Sequence, residues 1–162
     1  MLTPPASDPG WLREALLHVQ GLRVCEVSAG HPRGAMFLLG FGQAQVGSLQ
    51  SFRASHSLFV THASWRLSAG GRVCCGWNDP EEHIAQELNR LRGVRVLSIS
   101  LSDCFDLDLM LEGSLRLRVF ADVTADNMGQ FEDNWMLLTP QHVLAVTAGH
   151  RVQVSPSTPN AD

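Results

Sequence analysis

The sequence predicts an α+β protein made of two copies of one unit, each a helix followed by an antiparallel β-meander of about five strands. Three observations support this prediction. A pattern of Leu, Gly, Arg, Val and Ser in residues 16–28 returns in residues 88–100, and Trp65 returns as Trp135. Within each copy the apolar spacing changes from helical to alternating. The length of 162 residues suits one compact domain.

The spacing of the repeat divides the chain into a first unit, 1–78, a second unit, 79–154, and a Pro/Ser-rich tail, 155–162. One unit of about 70 residues would be only marginally stable alone. We therefore expect the two units to share a core and to be related by a pseudo-twofold axis. We expect the tail to be disordered.

Each unit begins with an Asp-Pro pair, which is typical of a helix start. Asp79 is a natural N-cap, Pro80 suits the first helical position, and Gly93 suits the end. The first unit repeats the design from Asp8 to Gly21. Apolar residues at i, i+4 and i+7 predict the buried helix faces: Leu12, Leu16 and Val19 in the first helix, and Ile84, Leu88 and Leu91 in the second.

Alternating or β-branched runs predict the strands that follow each helix. A longer polar linker, 42–57, interrupts the first series, and we expect it to be mobile. The predicted strands are 22–28, 35–41, 58–61, 64–68 and 72–76 in the first unit, and 94–101, 107–111, 115–119, 134–139 and 143–147 in the second.

The best-defined turn is the hairpin loop 112–114. A three-residue loop pairs Leu111 with Leu115 and places Asp108 opposite Arg118 on the solvent face. A two-residue loop would set Leu111 against a charged side chain, because a shift of one residue exchanges the faces of a strand. The sequence therefore predicts the three-residue register.

The composition excludes several chemistries. The chain has no lysine and no tyrosine, which rules out a lysine Schiff base, a phosphate-loop lysine and a tyrosine acid. The net charge is −4, and this acidic balance argues against nucleic-acid binding. The charge is unevenly divided, because residues 1–78 carry +3 and residues 79–162 carry −7.

The cysteines, histidines and glycines indicate no catalytic or metal motif. The four cysteines contain no C-x-x-C pair, so we interpret them as free thiols. Neither His56 with His62 nor His142 with His150 forms a good ligand set. We therefore expect no metal and no cofactor. With neither a secretory signal nor a membrane-spanning run, we expect a cytoplasmic protein without membrane contact.

The most informative polar feature is a run of acidic residues between positions 103 and 133. Such a run is often only a solvated surface, and a carboxylate pair for catalysis is a further alternative. A docking patch for a basic protein is the functional interpretation, since complementary charge steers association. The predicted partner-binding residues are Asp106, Asp108, Asp122, Asp126, Glu132 and Asp133.

Three segments of the second unit form one pattern: 106–115, 119–122, and 132–137 with Pro140. They form a polar–apolar hairpin, an acidic loop and a Trp-containing strand that ends at proline. In these segments the second unit resembles small uncharacterised bacterial proteins, some of them immunity proteins of toxin–immunity loci. The resemblance implies binding rather than catalysis. We therefore expect a non-enzymatic protein-binding module, in the form of an immunity or inhibitor protein.

Two alternatives remain open. A cleft between the two units would suit a small-molecule-binding protein or a hydrolytic enzyme, particularly if His56, His62, His142 or the cysteines line it. The opposite charges of the two halves would instead suit self-association, with a homodimer as the simplest form.

Overall fold

The computed structural model describes residues 9–42, 54–122, 133–147 and 151–157. These residues form an α+β fold of two helices and eleven strands, which confirms the predicted class. The elements, in chain order, are α1 (Pro9–Leu17), β1 (Val24–Ser28), β2 (Phe37–Phe41), β3 (His56–Val60), β4 (Ser64–Ala69), β5 (Arg72–Gly76), α2 (Glu81–Leu88), β6 (Val96–Leu101), β7 (Leu107–Leu111), β8 (Leu115–Phe120), β9 (Asp133–Leu138), β10 (His142–Thr147) and β11 (Arg151–Pro156).

The strands form two antiparallel sheets. Sheet 1 has the order β1-β2-β3-β9-β10-β11, and sheet 2 has the order β5-β4-β8-β7-β6. The chain passes from sheet 1 to sheet 2 after β3 and returns after β8. Each sheet therefore contains strands from both predicted units, and the inward side chains of both sheets belong to one buried cluster.

The predicted strands lie close to the observed ones. β3 begins at His56, so the last two residues of the predicted linker belong to a strand. The sequence prediction did not include β11, which extends to Pro156 and takes two residues from the predicted tail. Residues 43–53 of the linker and 158–162 of the tail lie outside the described residues.

The hairpin between β7 and β8 has the predicted register. Leu111 pairs with Leu115, and Asp108 pairs with Arg118. The loop requires two positive backbone angles, φ 77° at Gly113 and φ 60° at Ser114. Glycine adopts such a φ without the steric cost that a side chain brings.

The predicted cap of α2 is wrong. The helix begins at Glu81, and the carbonyl of Pro80 accepts its first amide bond, from Ile84 at 3.0 Å. The Asp79 carboxylate instead accepts the amide of Gly76 at 2.8 Å, closing the turn after β5. The turn therefore uses the carboxylate oxygen of Asp79 that the sequence predicted would cap the N-terminus of α2. The predicted apolar face is confirmed, since Ile84 is fully buried.

Two tryptophans anchor the core. Trp65 and Trp135 are almost completely buried. The indole N–H of Trp65 donates to the carbonyl of Ala35 at 2.8 Å, and that of Trp135 donates to the carbonyl of Phe105 at 3.0 Å. Trp11 of α1, by contrast, is 38% exposed.

The segments that precede β1 and β6 pair with each other and so connect the two sheets. An isolated antiparallel bridge joins Arg23 and Arg95. Four backbone hydrogen bonds surround it in reciprocal pairs: Gly21 N–H to Val96 O, Gly93 N–H to Val24 O, Val96 N–H to Leu22 O, and Val24 N–H to Val94 O.

Within the described ranges, no helix combines the length and the apolar character needed to cross a membrane.

Candidate functional site

Three of the predicted docking acids lie together where sheet 2 connects to sheet 1. Asp106, at the start of β7, accepts the amide of Ala121 at 2.8 Å. The next residue, Asp122, donates its amide to the side-chain oxygen of Asn134 at 2.9 Å and accepts the side-chain N–H of Asn134 at 3.1 Å. Asp133 precedes Asn134 in β9. We call Asp106, Asp122 and Asp133 the acidic corner.

Asn134 is the centre of this corner and is only 2% exposed. Its backbone oxygen accepts the amides of Thr61, His62 and Ala63 at 3.0–3.2 Å. The Thr61 hydroxyl also donates to the carbonyl of Asp133. Both connections that cross between the sheets, the turn after β3 and the segment after β8, are therefore fixed by one residue.

Asp126 and Glu132, the other two acids of this connection, lie outside the described residues. They belong to the segment between Asp122 and Asp133, and the structure fixes that segment where it leaves β8 and where it enters β9.

Burial raises the pKa of Asp133, and the nearby charge of His62 partly opposes this rise. Desolvation disfavours the charged form of a carboxyl group. The fold therefore holds the carboxylate of Asp133 at neutral pH at some cost in stability.

Asp108, the sixth predicted acid, has a different role. It binds Arg116 through both oxygens, at 2.8 and 2.5 Å, on the outer face of sheet 2. This hydrogen-bonded pair lowers the pKa of Asp108, although burial acts in the opposite direction. Asp106 and Asp108 line one small cavity of about 230 Å³, but Arg116 neutralises the charge of Asp108.

A groove lies between α1 and the turn that joins β9 to β10. Its volume is about 330 Å³, and four planar rings line it: Trp11, His18, His56 and His142. The Trp11 and His142 rings meet edge to face at 6.1 Å, and the His18 and His56 rings stack at 6.4 Å. α1 belongs to the predicted first unit and the turn to the second, so this groove is a cleft between the two.

His56 is the most clearly defined polar group of the groove. The Ser55 hydroxyl donates its proton to the carbonyl of Phe41 at 3.0 Å, and Nδ1 of His56 lies 3.1 Å from the same hydroxyl oxygen. In the tautomer that uses this hydroxyl oxygen as an acceptor, Nδ1 carries the ring hydrogen and Nε2 is an acceptor. Burial, and then the charge of His18, lowers the pKa of His56.

The other candidate residues do not join this groove. His62 lies at the acidic corner, with Nδ1 3.0 Å from the carbonyl of Asp133. All four cysteines are free thiols, as predicted, and Cys104 is exposed. Burial raises the pKa of Cys75 to about 12, which makes its thiol unreactive. In the described part of the chain, no group of three or more His, Cys, Asp or Glu residues is arranged to hold a metal ion.

Sequence reasoning missed Asn134 and the contribution of α1 to the groove. The helix carried a signal, because Trp11, Ala15 and His18 follow the i, i+4, i+7 spacing beside the apolar stripe. Asn134 carried none, since its partners are 12 and about 70 residues away.

No protein-family model, no curated protein and no solved structure matches this chain. The contacts described above are therefore the basis for the functional argument.

Proposed function

We propose that this chain is a non-enzymatic protein-binding module that docks a basic partner through the acidic corner. One observation carries the proposal: buried Asn134 holds Asp122 and Asp133 in one hydrogen-bonded unit, with Asp106 tied to the adjacent Ala121. Asp126 and Glu132 belong in the sequence to the segment between Asp122 and Asp133, outside the described residues.

The chemistry of the corner suits docking. Fixed charges steer a partner of opposite sign and fix its orientation. Asp122 and Asp133 are attached to a buried amide, so little conformational entropy is lost when a partner contacts the backbone beside them. The raised pKa of Asp133 supports this interpretation, because residues that bind partners are often kept at some cost in stability.

An inhibitor of the toxin–immunity kind is the form of this function that the resemblance of the second unit implies. The expected partner is then a protein with a basic surface, and the complex forms in the cytoplasm. No nucleic acid or membrane enters this proposal.

A charge-matched pull-down tests the proposal. The variant Asp122→Asn/Asp126→Asn/Glu132→Gln removes three negative charges from residues 122–132, which carry three of the predicted docking acids. The control Glu82→Lys/Gln86→Lys changes the net charge by the same three units on the exposed side of α2. We expect the wild type and the control to capture the same basic protein from a source-cell extract at low salt, and the first variant to lose it.

Equal capture by all three proteins, or capture of no basic protein, contradicts the proposal. Light scattering of the same proteins at low and high salt checks the alternative of a homodimer. A dimer held by charge should dissociate as salt screens the contact.

We further propose that the two units arose by duplication and retain a pseudo-twofold relation. Three features support this. The strand orders of the two sheets are alike if β1-β2-β3 corresponds to β6-β7-β8 and β4-β5 to β9-β10. Arg23 and Arg95, equivalent in the sequence repeat, pair with each other. The two buried tryptophans bind carbonyls 30 residues earlier in both units.

A second candidate function is binding of a small organic molecule in the histidine groove. The observation that favours it is an acceptor nitrogen, Nε2 of His56, in a cleft between the two units. The test is NMR titration of the histidine ring signals with benzylamine and benzoate. Saturable shifts of His18 and His56 in the wild type, with loss of the saturable His18 shift in His56→Gln, support this function, and the absence of saturable shifts in the wild type contradicts it.

A further inference from the structure

We propose that Arg66 and Arg118, on the outer face of sheet 2, bind the oxyanion of a small ligand whose planar ring packs on Trp77. This site adjoins the acidic corner, since Arg118 and Phe120 line one cavity with Asp106, but it has the opposite charge. The ligand class is an aromatic phosphate or carboxylate.

The two arginines are direct cross-strand neighbours in β4 and β8. Like charges in this position repel each other and destabilise a sheet. Both guanidinium groups lie against one ring, with their central carbons 5.0 Å (Arg66) and 5.3 Å (Arg118) from the centroid of Phe120. The ring partly offsets the repulsion, since the electron-rich face of an aromatic ring attracts a guanidinium group.

Neither guanidinium group has a carboxylate within 4.0 Å, or a hydrogen-bond acceptor, among the residues that the structure describes. The nearest candidate in the register is Asp108, the cross-strand partner of Arg118. Both oxygens of Asp108 bind Arg116 instead. The guanidinium groups of Arg66 and Arg118 therefore lie against Phe120 with their donors available to an anion, and the charge of Asp108 also acts on Arg118.

A cavity of about 440 Å³ lies beside Arg66 and accommodates the rest of the ligand. It is lined by Arg66, Phe120 and Asp79, and by Trp77, which is 50% exposed. Arg118 lines the neighbouring cavity on the other side of Phe120. Its size falls in the usual range of small-molecule sites. An exposed tryptophan next to an ordered guanidinium group offers a stacking surface and an anion contact together.

Glycine at position 76 keeps the floor of this cavity open. Gly76 is the cross-strand partner of Arg66. A Cβ atom at this position would lie 3.2 Å from the carbonyl of Trp65 and 3.7 Å from the Cβ atom of Arg66. Any side chain would therefore occupy the space beside the guanidinium stem.

The test is a titration with phenyl phosphate, followed by calorimetry and by the fluorescence of Trp77. Inorganic phosphate and benzyl alcohol serve as probes of the two parts of the ligand. We expect phenyl phosphate to bind more tightly than either, and its affinity to fall as salt rises. Arg66→Gln should weaken binding at least tenfold, and Arg118→Gln several-fold. Arg66→Lys should recover only part of the loss, because an ammonium group lacks the paired donors.

Arg72→Gln is the matched control, since it removes one exposed positive charge from the edge of the same sheet. It should leave the affinity unchanged. Equal losses in Arg72→Gln and Arg66→Gln, or equal affinities for benzyl alcohol and phenyl phosphate, would overturn the proposal. Because these probes require no protein partner, failure here is distinct from failure of the docking proposal.

Discussion

The outer faces of the two sheets differ, although their strands are arranged alike. At the centre of sheet 1, Phe59 of β3 faces Met136 of β9. At the corresponding place in sheet 2, Arg118 of β8 faces Arg66 of β4. The outer face of sheet 1 holds a largely apolar groove with Arg33 and Glu26 at its edge. The outer face of sheet 2 carries charged side chains that face one another across the strands.

The inner faces of the two sheets, by contrast, are alike. Leu58 faces Leu137 in sheet 1, and Leu117 faces Leu67 in sheet 2. Inner residues pack against the other sheet at crystal-like density, so their size and polarity are constrained. Outer residues contact solvent or a ligand and are free to differ. The comparison shows that the inner faces hold the fold together. The side chains available for specific binding lie on the outer faces and on the connections that cross between the sheets.

The largest expected effect comes from the tryptophan anchors. Trp135→Phe and Trp65→Phe each remove an indole donor, leave a carbonyl without its partner and open a cavity. We expect each to lower the free energy of unfolding by about 2–4 kcal/mol, measured by urea titration with circular dichroism. Trp77→Phe, at an exposed site, should change it little. A loss in the free energy of unfolding below about 0.5 kcal/mol for one tryptophan variant and not for the other would show that the two anchors are not equivalent.

Asn134→Ala tests the buried amide that joins the two crossings between the sheets. It removes two side-chain bonds to Asp122 and leaves that backbone without its partners. We expect a loss of about 1–3 kcal/mol and weaker capture of the basic partner. Ser64 occupies the corresponding position in β4, and Ser64→Ala should cost little. Wild-type stability and capture in Asn134→Ala would show that the corner does not need this amide.

A smaller effect is expected for the charged row of sheet 2. A double-mutant cycle on Asp108→Ala and Arg116→Ala should give a small but measurable coupling free energy, because the pair is partly exposed to solvent. The pKa of Asp108 is lowered in the fold. Its contribution is therefore complete above the unfolded pKa near 4 and disappears as the pH falls through the lower, folded value. Coupling that persists when Asp108 is protonated would contradict this account.

The smallest effect concerns the groove beside sheet 1. The fold lowers the pKa of His56, so the unfolded chain binds a proton more readily than the folded one. Stability should decline as the pH falls below about 6.5. His56→Gln should reduce that decline, seen as a flatter dependence of the urea midpoint on pH. Identical pH profiles for the two proteins would exclude His56 as the cause.

The sequence predicted much of the fold because its signals are local. Alternating leucines fixed the hairpin of β7 and β8, since a shift of one residue would have turned Arg116 inward. β11 was not predicted because it contains few apolar residues, Val152 and Val154, and because the strand ends in a proline. The cap at Asp79 was predicted wrongly, because the turn and the helix compete for one carboxylate.

The candidate site was less accessible from the sequence. The charge run predicted that acids matter, but it could not separate Asp108, whose partner Arg116 lies across a hairpin, from Asp122, whose partner is Asn134. It also predicted a basic partner from net charge and gave no sign of the arginine pair on sheet 2. Charge sums describe a chain, whereas binding depends on which charges remain unpaired after folding.

The sequence alone determined the α+β class, the positions of nearly all the strands and the register of one hairpin, because each depends on neighbours a few residues apart. Only the tertiary structure decided that the chain crosses between sheets after β3 and β8. It also decided that Asn134 joins the two crossings and that Arg66 meets Arg118. The contacts of Asn134 with residues 61–63 and of Arg66 with Arg118 join residues 52 or more positions apart, and only the packing of the shared core brings them together.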